Sequence, residues 1–456
     1  MNRQRIALGV GASAFDRIAI SVMQLVLVPV LATHWGLERF GGWALLLTIP
    51  SLLALGDLGF GGAAVVRMTM EVARGQQAAA RATVRSAAQL LTGACAVLFV
   101  LVCGLVWLIP SAGLPHIPGE GSQELRLSVM LLAGYTCLVL YGALLQGVFR
   151  STARFALGTV LSTSTYLLEN TLVIVAAVSG QGLLGGVVAL LAGRLIGFAL
   201  VFLAAARLRT GLLPGLTGGD PAVRRELVRP ALAIMSIPLA SALLLQGTVA
   251  ALGLAVGAVA VPAFVAARTL SRIGLQATQV LTGALMPEFG AASARGHDRN
   301  VLRMFVLLAA TATVIAVPFA AVLALAGPWI VKIWSNQQII APHGLMLAIA
   351  ASALCGALWK PISDLMLAVN RQAEFALAYA GLAMAGVAFT IIAAPALGST
   401  AAALALALVD LAMLALVFRF ARRNWAKPGS IRPALAELWH EVRSGVARFL
   451  YPEKRG

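Results

Sequence analysis

The chain is a succession of apolar runs, each about as long as a lipid bilayer is thick, and few folds accommodate that. A helix rises ~1.5 Å per residue, so ~20 apolar residues cross a hydrocarbon core ~30 Å thick. Runs of this kind lie at 7–33, 40–66, 86–109, 127–149, 155–178, 183–206, 231–256, 260–288, 304–327, 343–369, 374–394 and 399–420. Pro395 and Gly398 act as the breakers between the last two. The pattern predicts an all-α integral membrane protein of about twelve transmembrane helices. Composition agrees: 60% of the 456 residues are hydrophobic and 11% charged, where a soluble domain carries roughly a quarter charged residues. Mean hydropathy is +0.91. The opening MNRQR and the run after it have the look of a secretory signal, but the run continues to Val30 and reads as the first membrane helix.

Basic residues set the orientation. With the N-terminus taken as cytoplasmic, 26 of the 34 Lys and Arg fall on that side, 3 (Arg39, Arg126, Lys332) on the other, and five inside helices. The positive-inside rule then places both termini in the cytoplasm. This asymmetry also accounts for the net charge of +17, so the basicity does not call for nucleic acid as a partner. A faint internal repeat accompanies the helix pattern: ARGQQ at 73–77 and ARGHD at 294–298 follow the second and eighth runs, 221 residues apart (73 to 294). The same offset carries the first run onto the seventh and the third onto the ninth. Duplication of a six-helix unit predicts two lobes related by a pseudo-twofold axis along the membrane normal, with a site between them. The expected organisation is an N-terminal six-helix lobe over 1–206, a cytoplasmic linker over 207–230 and a C-terminal lobe over 231–420. A basic tail over 421–456 completes it. In that tail Leu435, Leu438, Trp439, Val442, Val446, Phe449 and Leu450 mark an amphipathic face, which either lies on the inner leaflet or packs on the cytoplasmic loops.

The chemistry lies in charges within the apolar runs. Five are basic (Arg17, Arg194, Arg268, Arg272, Lys360) and five acidic (Asp16, Asp57, Glu169, Asp364, Asp410). A charge at mid-bilayer costs at least ~2.5–3.5 kcal/mol, so such groups need water or counter-ions. Arg268, Arg272, Gln276 and Gln279 form a polar stripe down one face of the eighth run, and Ser13, Arg17, Ser21 and Gln24 a comparable stripe on the first. Two such stripes in corresponding helices point to a shared wet cavity. Arginine suits phosphate, because its planar fork stays charged and binds oxygens in pairs. The alternative is that each arginine pairs with an acid and locks the bundle. Glu169 and Asp410, near the middle of their helices, and Asp16 are candidates for taking up a proton or cation, or else for serving as counter-ions. Lys360 and Asp364, four apart, read as a structural ion pair. Asp57, in GDLGF, is either a helix-end device or a functional acid.

Nothing in the sequence points to an enzyme. His34, His116, His297, His343 and His440 are scattered without metal-ligand spacing, and no phosphate-binding Walker motif occurs. Cys95, Cys103, Cys137 and Cys355 lie in apolar runs and read as small core residues. No cofactor and no metal is expected.

Several stretches resemble the polysaccharide transporter branch (Wzx-like O-antigen flippases) of the multidrug/oligosaccharidyl-lipid/polysaccharide exporter superfamily. They are VPVLATHWGLERFGGW at 28–43 with GDLGF at 56–60, and AFVAARTLSR at 263–272 with MPEF at 286–289 and ARG at 294–296. The resemblance implies a MATE-like pair of six-helix lobes working by alternating access. The cargo it implies is a polyprenyl-diphosphate-linked oligosaccharide, such as an O-antigen or exopolysaccharide repeat unit, crossing the bacterial inner membrane. The family's cationic cavity carries over to Arg17, Arg268 and Arg272, with Arg194, Gln276 and Gln24 as further substrate-binding positions. Expected partners are membrane lipids and the polymerase and glycosyltransferases of polysaccharide synthesis. The equal number of intramembrane acids departs from a strongly cationic lumen and points to a neutral or weakly anionic glycan. Two other readings stand beside it: a cation-coupled multidrug exporter of the same fold, which calls for acids along the cavity, and a non-transporting scaffold docked through the basic tail. The loop after the second run lacks the Gly-Asp-Arg signature of major-facilitator transporters.

Overall fold

Gly36 divides the first long helix. In the computed structural model α1 runs Arg3–Leu46, but Gly36 has φ 72° and ψ 173°, a backbone conformation open essentially to glycine alone. The first apolar segment, Gly11–Asp57, is 47 residues long, ~70 Å of helix and more than twice the hydrocarbon thickness. The break at Gly36 makes it two legs, each long enough to cross. The chain is described over residues 3–110, 117, 119–208, 211–295, 298–369, 371–425 and 433. The expected tail helix within 421–456 lies almost wholly outside them, as does His297 of the second repeat.

Every regular element among the described residues is helical. After α1 come α2 (Thr48–Leu53), α3 (Phe60–Ala73), α4 (Gln77–Leu108), α5 (Ser122–Ser151), α6 (Phe155–Val178) and α7 (Leu183–Arg207). Then follow α8 (Pro221–Ala242), α9 (Thr248–Val256), α10 (Val261–Ala294), α11 (Asp298–Trp334), α12 (His343–Ala368), α13 (Ala373–Leu397) and α14 (Ser399–Asn424). Among the described residues eleven segments are long and apolar enough to cross a membrane, the double-length first one included. Their outward faces carry Leu254 at 86% and Leu377 at 83% exposure. In water such a surface would drive aggregation, but against acyl chains it is matched to its solvent.

Several boundaries differ from the sequence pattern: α4 begins at Gln77 and not 86, and α11 runs past 304–327 at both ends. Two further shifts have visible local causes. The second run, expected over 40–66, ends in a 3-10 turn at Ala54–Asp57, where Leu58 and Gly59 adopt positive φ. There the Asp57 carboxylate accepts the Gly61 N–H at 2.9 and 3.1 Å, starting α3. The helix expected from 231 begins instead at Pro221, because Asp220 caps it by accepting the Ala222 N–H at 2.8 Å. Proline at the first turn has no N–H to leave unsatisfied. Gly398 has φ 57° and separates α13 from α14 as expected, although Pro395 stays inside α13.

The chain forms two compact units. Unit 1 comprises Met1–Ala266, Ile330–Ile340 and Ala383–Ala402; unit 2 comprises Ala267–Trp329, Ala341–Leu382 and Ala403–Gly456. Within unit 1, Phe60 and Met68 of α3, Leu91 of α4 and Leu144 and Val148 of α5 form a core. Leu212 of the linker and Leu227 of α8 complete it. Polar ties dock the linker there: Gln89 donates to the Leu216 carbonyl at 2.8 Å, and Ser86 accepts the Asp220 N–H at 2.8 Å. Arg67 reaches Glu71 at 2.9 Å and Glu226 at 2.6 Å. The hydrogen bond to Glu71, with that to Glu226, holds the Arg67 guanidinium above its usual range. Elsewhere in the unit Glu120 joins Arg39 (3.3 Å) to the Leu183 N–H (2.9 Å) at the start of α7. Unit 2 packs Trp425 edge-on against Phe289 and Phe420, at centroid distances of 4.9 and 5.4 Å.

Candidate transport site

In unit 1, α6 and α7 come together because α7 has glycine where α6 is closest. A Cβ on Gly193 would stand 2.5 Å from the Cα of Glu169, and one on Gly197 would stand 2.2 Å from the Thr165 methyl. Small residues one turn apart are the usual means of bringing membrane helices into backbone contact. Here the approach places Arg194 of α7 beside Glu169 of α6, Nη2 to Oε1 at 2.8 Å. Tyr135 of α5 closes a triangle: its hydroxyl donates to Glu169 Oε1 at 3.3 Å and accepts from Arg194 Nη2 at 3.0 Å. The guanidinium also lies 5.1 Å from the Tyr135 ring centroid, a cation–π contact. Glu169 Oε2 and Arg194 Nε are buried without a hydrogen-bond partner among the described residues. The pair thus cancels charge but leaves donor and acceptor capacity over.

Arg194 lines a cavity of about 770 Å³ enclosed by α1, α3, α5, α6 and α7. Asp16, Asp57, Arg150, Thr163 and Tyr166 are among its other polar groups, with Gln146, Ser162 and Thr165. Asp16 is held by the Thr163 hydroxyl, 2.6 Å from Oδ1. Asp57 serves as the helix-end device described above and also faces this space. Two acids and two arginines among the lining residues make a polar but charge-balanced cavity. Arg17 and Gln24 are half-buried on α1 and are not among its lining residues. The hydroxyls of Ser13 and Ser21 in the same stripe bond back to carbonyls one turn earlier, at 3.0 and 2.7 Å.

In unit 2, α10 presents Arg268 half-buried, Arg272 exposed, and Gln276 and Gln279 half-buried. The membrane-length segment Ala258–Gln276 contains both arginines and no carboxylate. Asp410 of α14 is buried at 6% exposure, yet it is satisfied on both oxygens. Ser352 Oγ donates to Oδ2 at 2.6 Å and Trp359 Nε1 to Oδ1 at 2.8 Å. Lys360 supplies a nearby positive charge, its ammonium lying 5.9 Å from the Trp359 ring centroid. Lys360 and Asp364 are both half-buried on successive turns of α12.

Tyr135, Thr163, Ser352 and Trp359 carried no sequence signal. Each meets its carboxylate across a separation of 34 to 147 residues, so no local spacing exposes it. All four free cysteines sit in membrane helices, and no cluster of possible metal ligands occurs among the described residues.

Among the described residues the regular elements are helices only, with charged groups held inside membrane-length segments. Solved structures that share this fold are described as MATE or MOP superfamily transporters and as a lipid II flippase. An inward-facing multidrug resistance MATE family transporter aligns with 91% of this chain and 96% of its own, at TM-score 0.74 and 12% identity. The lipid II flippase MurJ, in an inward closed conformation, aligns over 91% and 87%, at TM-score 0.70 and 11% identity. A MOP superfamily transporter from Pyrococcus furiosus with a binding pocket of reversed polarity aligns over 92% and 94%, at 0.57 and 13%. No protein-family model and no curated protein matches the chain.

Proposed function

We propose that this chain is a flippase that moves a polyprenyl-diphosphate-linked oligosaccharide across the bacterial inner membrane. The observation that carries the reading is the arginine pair of α10. Two guanidiniums one helical turn apart, in a membrane-length segment with no carboxylate of its own, match two phosphates joined through one oxygen. Arg268 and Arg272 hold the diphosphate, Gln276 continues the polar stripe towards the sugars, and Arg17 and Gln24 line the corresponding helix of the other six-helix lobe. The two lobes, 1–206 and 231–420, rock about the site in alternating access. Both termini are cytoplasmic, and polysaccharide polymerase and glycosyltransferases are the partners that supply and consume the cargo. The charge-balanced cavity around Arg194 suits a neutral or weakly anionic glycan, and Asp16, Glu169 and Asp410 are the groups available for ion coupling.

Fold likeness to both the multidrug transporter and MurJ leaves a cation-coupled exporter as the second reading, favoured by Asp16 and Asp57 at the unit 1 cavity. Surface glycan display in cells separates the two. Arg268→Ala should cut display at least tenfold while membrane levels of the protein stay normal. Display at the wild-type level would remove the diphosphate role from that residue.

A further inference from the structure

The arginine-rich end of unit 2 contains a groove that the flippase reading does not use. It has a volume of about 500 Å³ and lies where α12, α13 and α14 meet. Leu416, Arg419, Phe420 and Arg423 follow one face of α14 at helical spacing, and all four line it. Arg371, from the turn between α12 and α13, is fixed from two sides. Its Nη1 donates to Glu374 Oε1 and to Asn424 Oδ1, both at 3.2 Å, and its guanidinium carbon lies 5.6 Å from the Phe420 ring centroid. Among the described residues both polar contacts use Nη1, so the Nε–Nη2 edge, the edge that grips a phosphate in two places, is clear of them. Three arginines face one carboxylate, Glu374.

Complementing the helix dipole explains basic residues in the last turn of α14. It does not explain Arg371, which comes from another element, nor the shape they enclose. Leu416 and Phe420 give the groove an apolar floor, and Leu377 of the adjoining α13 is 83% exposed. A free inorganic anion has no use for such a floor, whereas an amphiphile with a charged head and acyl chains matches both parts. The positive-inside rule puts this end on the cytoplasmic side, where the leaflet is anionic and basic pockets between membrane helices take phosphate head groups.

We propose that this groove binds the phosphodiester of an anionic glycerophospholipid. Arg371, Arg419 and Arg423 surround the phosphate, and Leu416 and Phe420 lie beneath the glycerol and the first methylenes.

The test uses the full-length purified protein in detergent, titrated with short-chain phosphatidylglycerol, with phosphatidylcholine of the same chain length, and with inorganic phosphate. Binding is read from the rise in melting temperature and from lipid retained in native mass spectrometry. Phosphatidylglycerol should stabilise and be retained, and the other two should not. Arg419→Gln/Arg423→Gln should weaken it about thirtyfold, from ~1 kcal/mol per arginine near the surface. Arg225→Gln/Arg295→Gln, with as many basic residues removed elsewhere, should leave it unchanged. Equal stabilisation by phosphatidylcholine, or by phosphate alone, overturns the proposal, as does an equal loss in the control. The wild-type lipid comparison stands without the variants if the double substitution fails to fold.

Discussion

Arg194 and Glu169 each need the other. An isolated charge at membrane depth costs ~2.5–3.5 kcal/mol or more, and removing one partner of a buried pair leaves the other uncompensated, a loss of ~3–5 kcal/mol. Glu169→Gln should therefore lower the melting temperature of the purified protein sharply. Arg194→Gln added to it should restore much of the loss, since two neutral amides leave no uncompensated charge inside the bundle. A double variant as unstable as the sum of its parts would show that the two side chains act separately. The charges themselves were legible in the sequence, because a charged letter in a membrane-length apolar run is conspicuous. Their partners were not. Tyr135, Ser352 and Trp359 are residues that any membrane helix carries, and only the packing of α5 on α6, and of α12 on α14, gives them a carboxylate to hold.

Among the elements, hydropathy located the runs at 155–178, 183–206, 343–369, 374–394 and 399–420 closely because each coincides with one helix, whereas α4 and α11 extend past their apolar runs into polar residues. Two further shifts have local causes that hydropathy does not weigh. Leu58 is apolar but sits at φ 49° between Asp57 and Gly59, where the Asp57 carboxylate has already begun the next helix. Residues 221–230 are too polar to read as membrane, yet Asp220 and Pro221 start a helix there. Gly36 is the element-scale feature most open to direct test. A Cβ at this position would meet no atom within 4 Å, so substitution is strained by backbone conformation alone. Gly36→Ala should destabilise by about 1–3 kcal/mol, seen as a lower melting temperature with transport geometry otherwise intact. An unchanged melting temperature would mean that the break between the two legs of α1 does not depend on glycine.

At the scale of the whole molecule, the fold is one shared with solved MOP superfamily transporters, and function is decided by the chemistry placed on a fold. Identities of 11–13% to MATE, MurJ and the Pyrococcus protein carry the architecture and not the substrate. Within its apolar runs this chain carries an arginine pair on α10 and, elsewhere, three basic and five acidic residues. The most direct measurement follows a fluorescent polyprenyl-diphosphate sugar in proteoliposomes, scoring which leaflet holds it with time, for wild type and for Arg268→Ala/Arg272→Ala. The account predicts movement by the wild-type protein and at least a tenfold slower rate in the variant. Expulsion of a cationic dye, with no movement of the lipid-linked sugar by either protein, would contradict it.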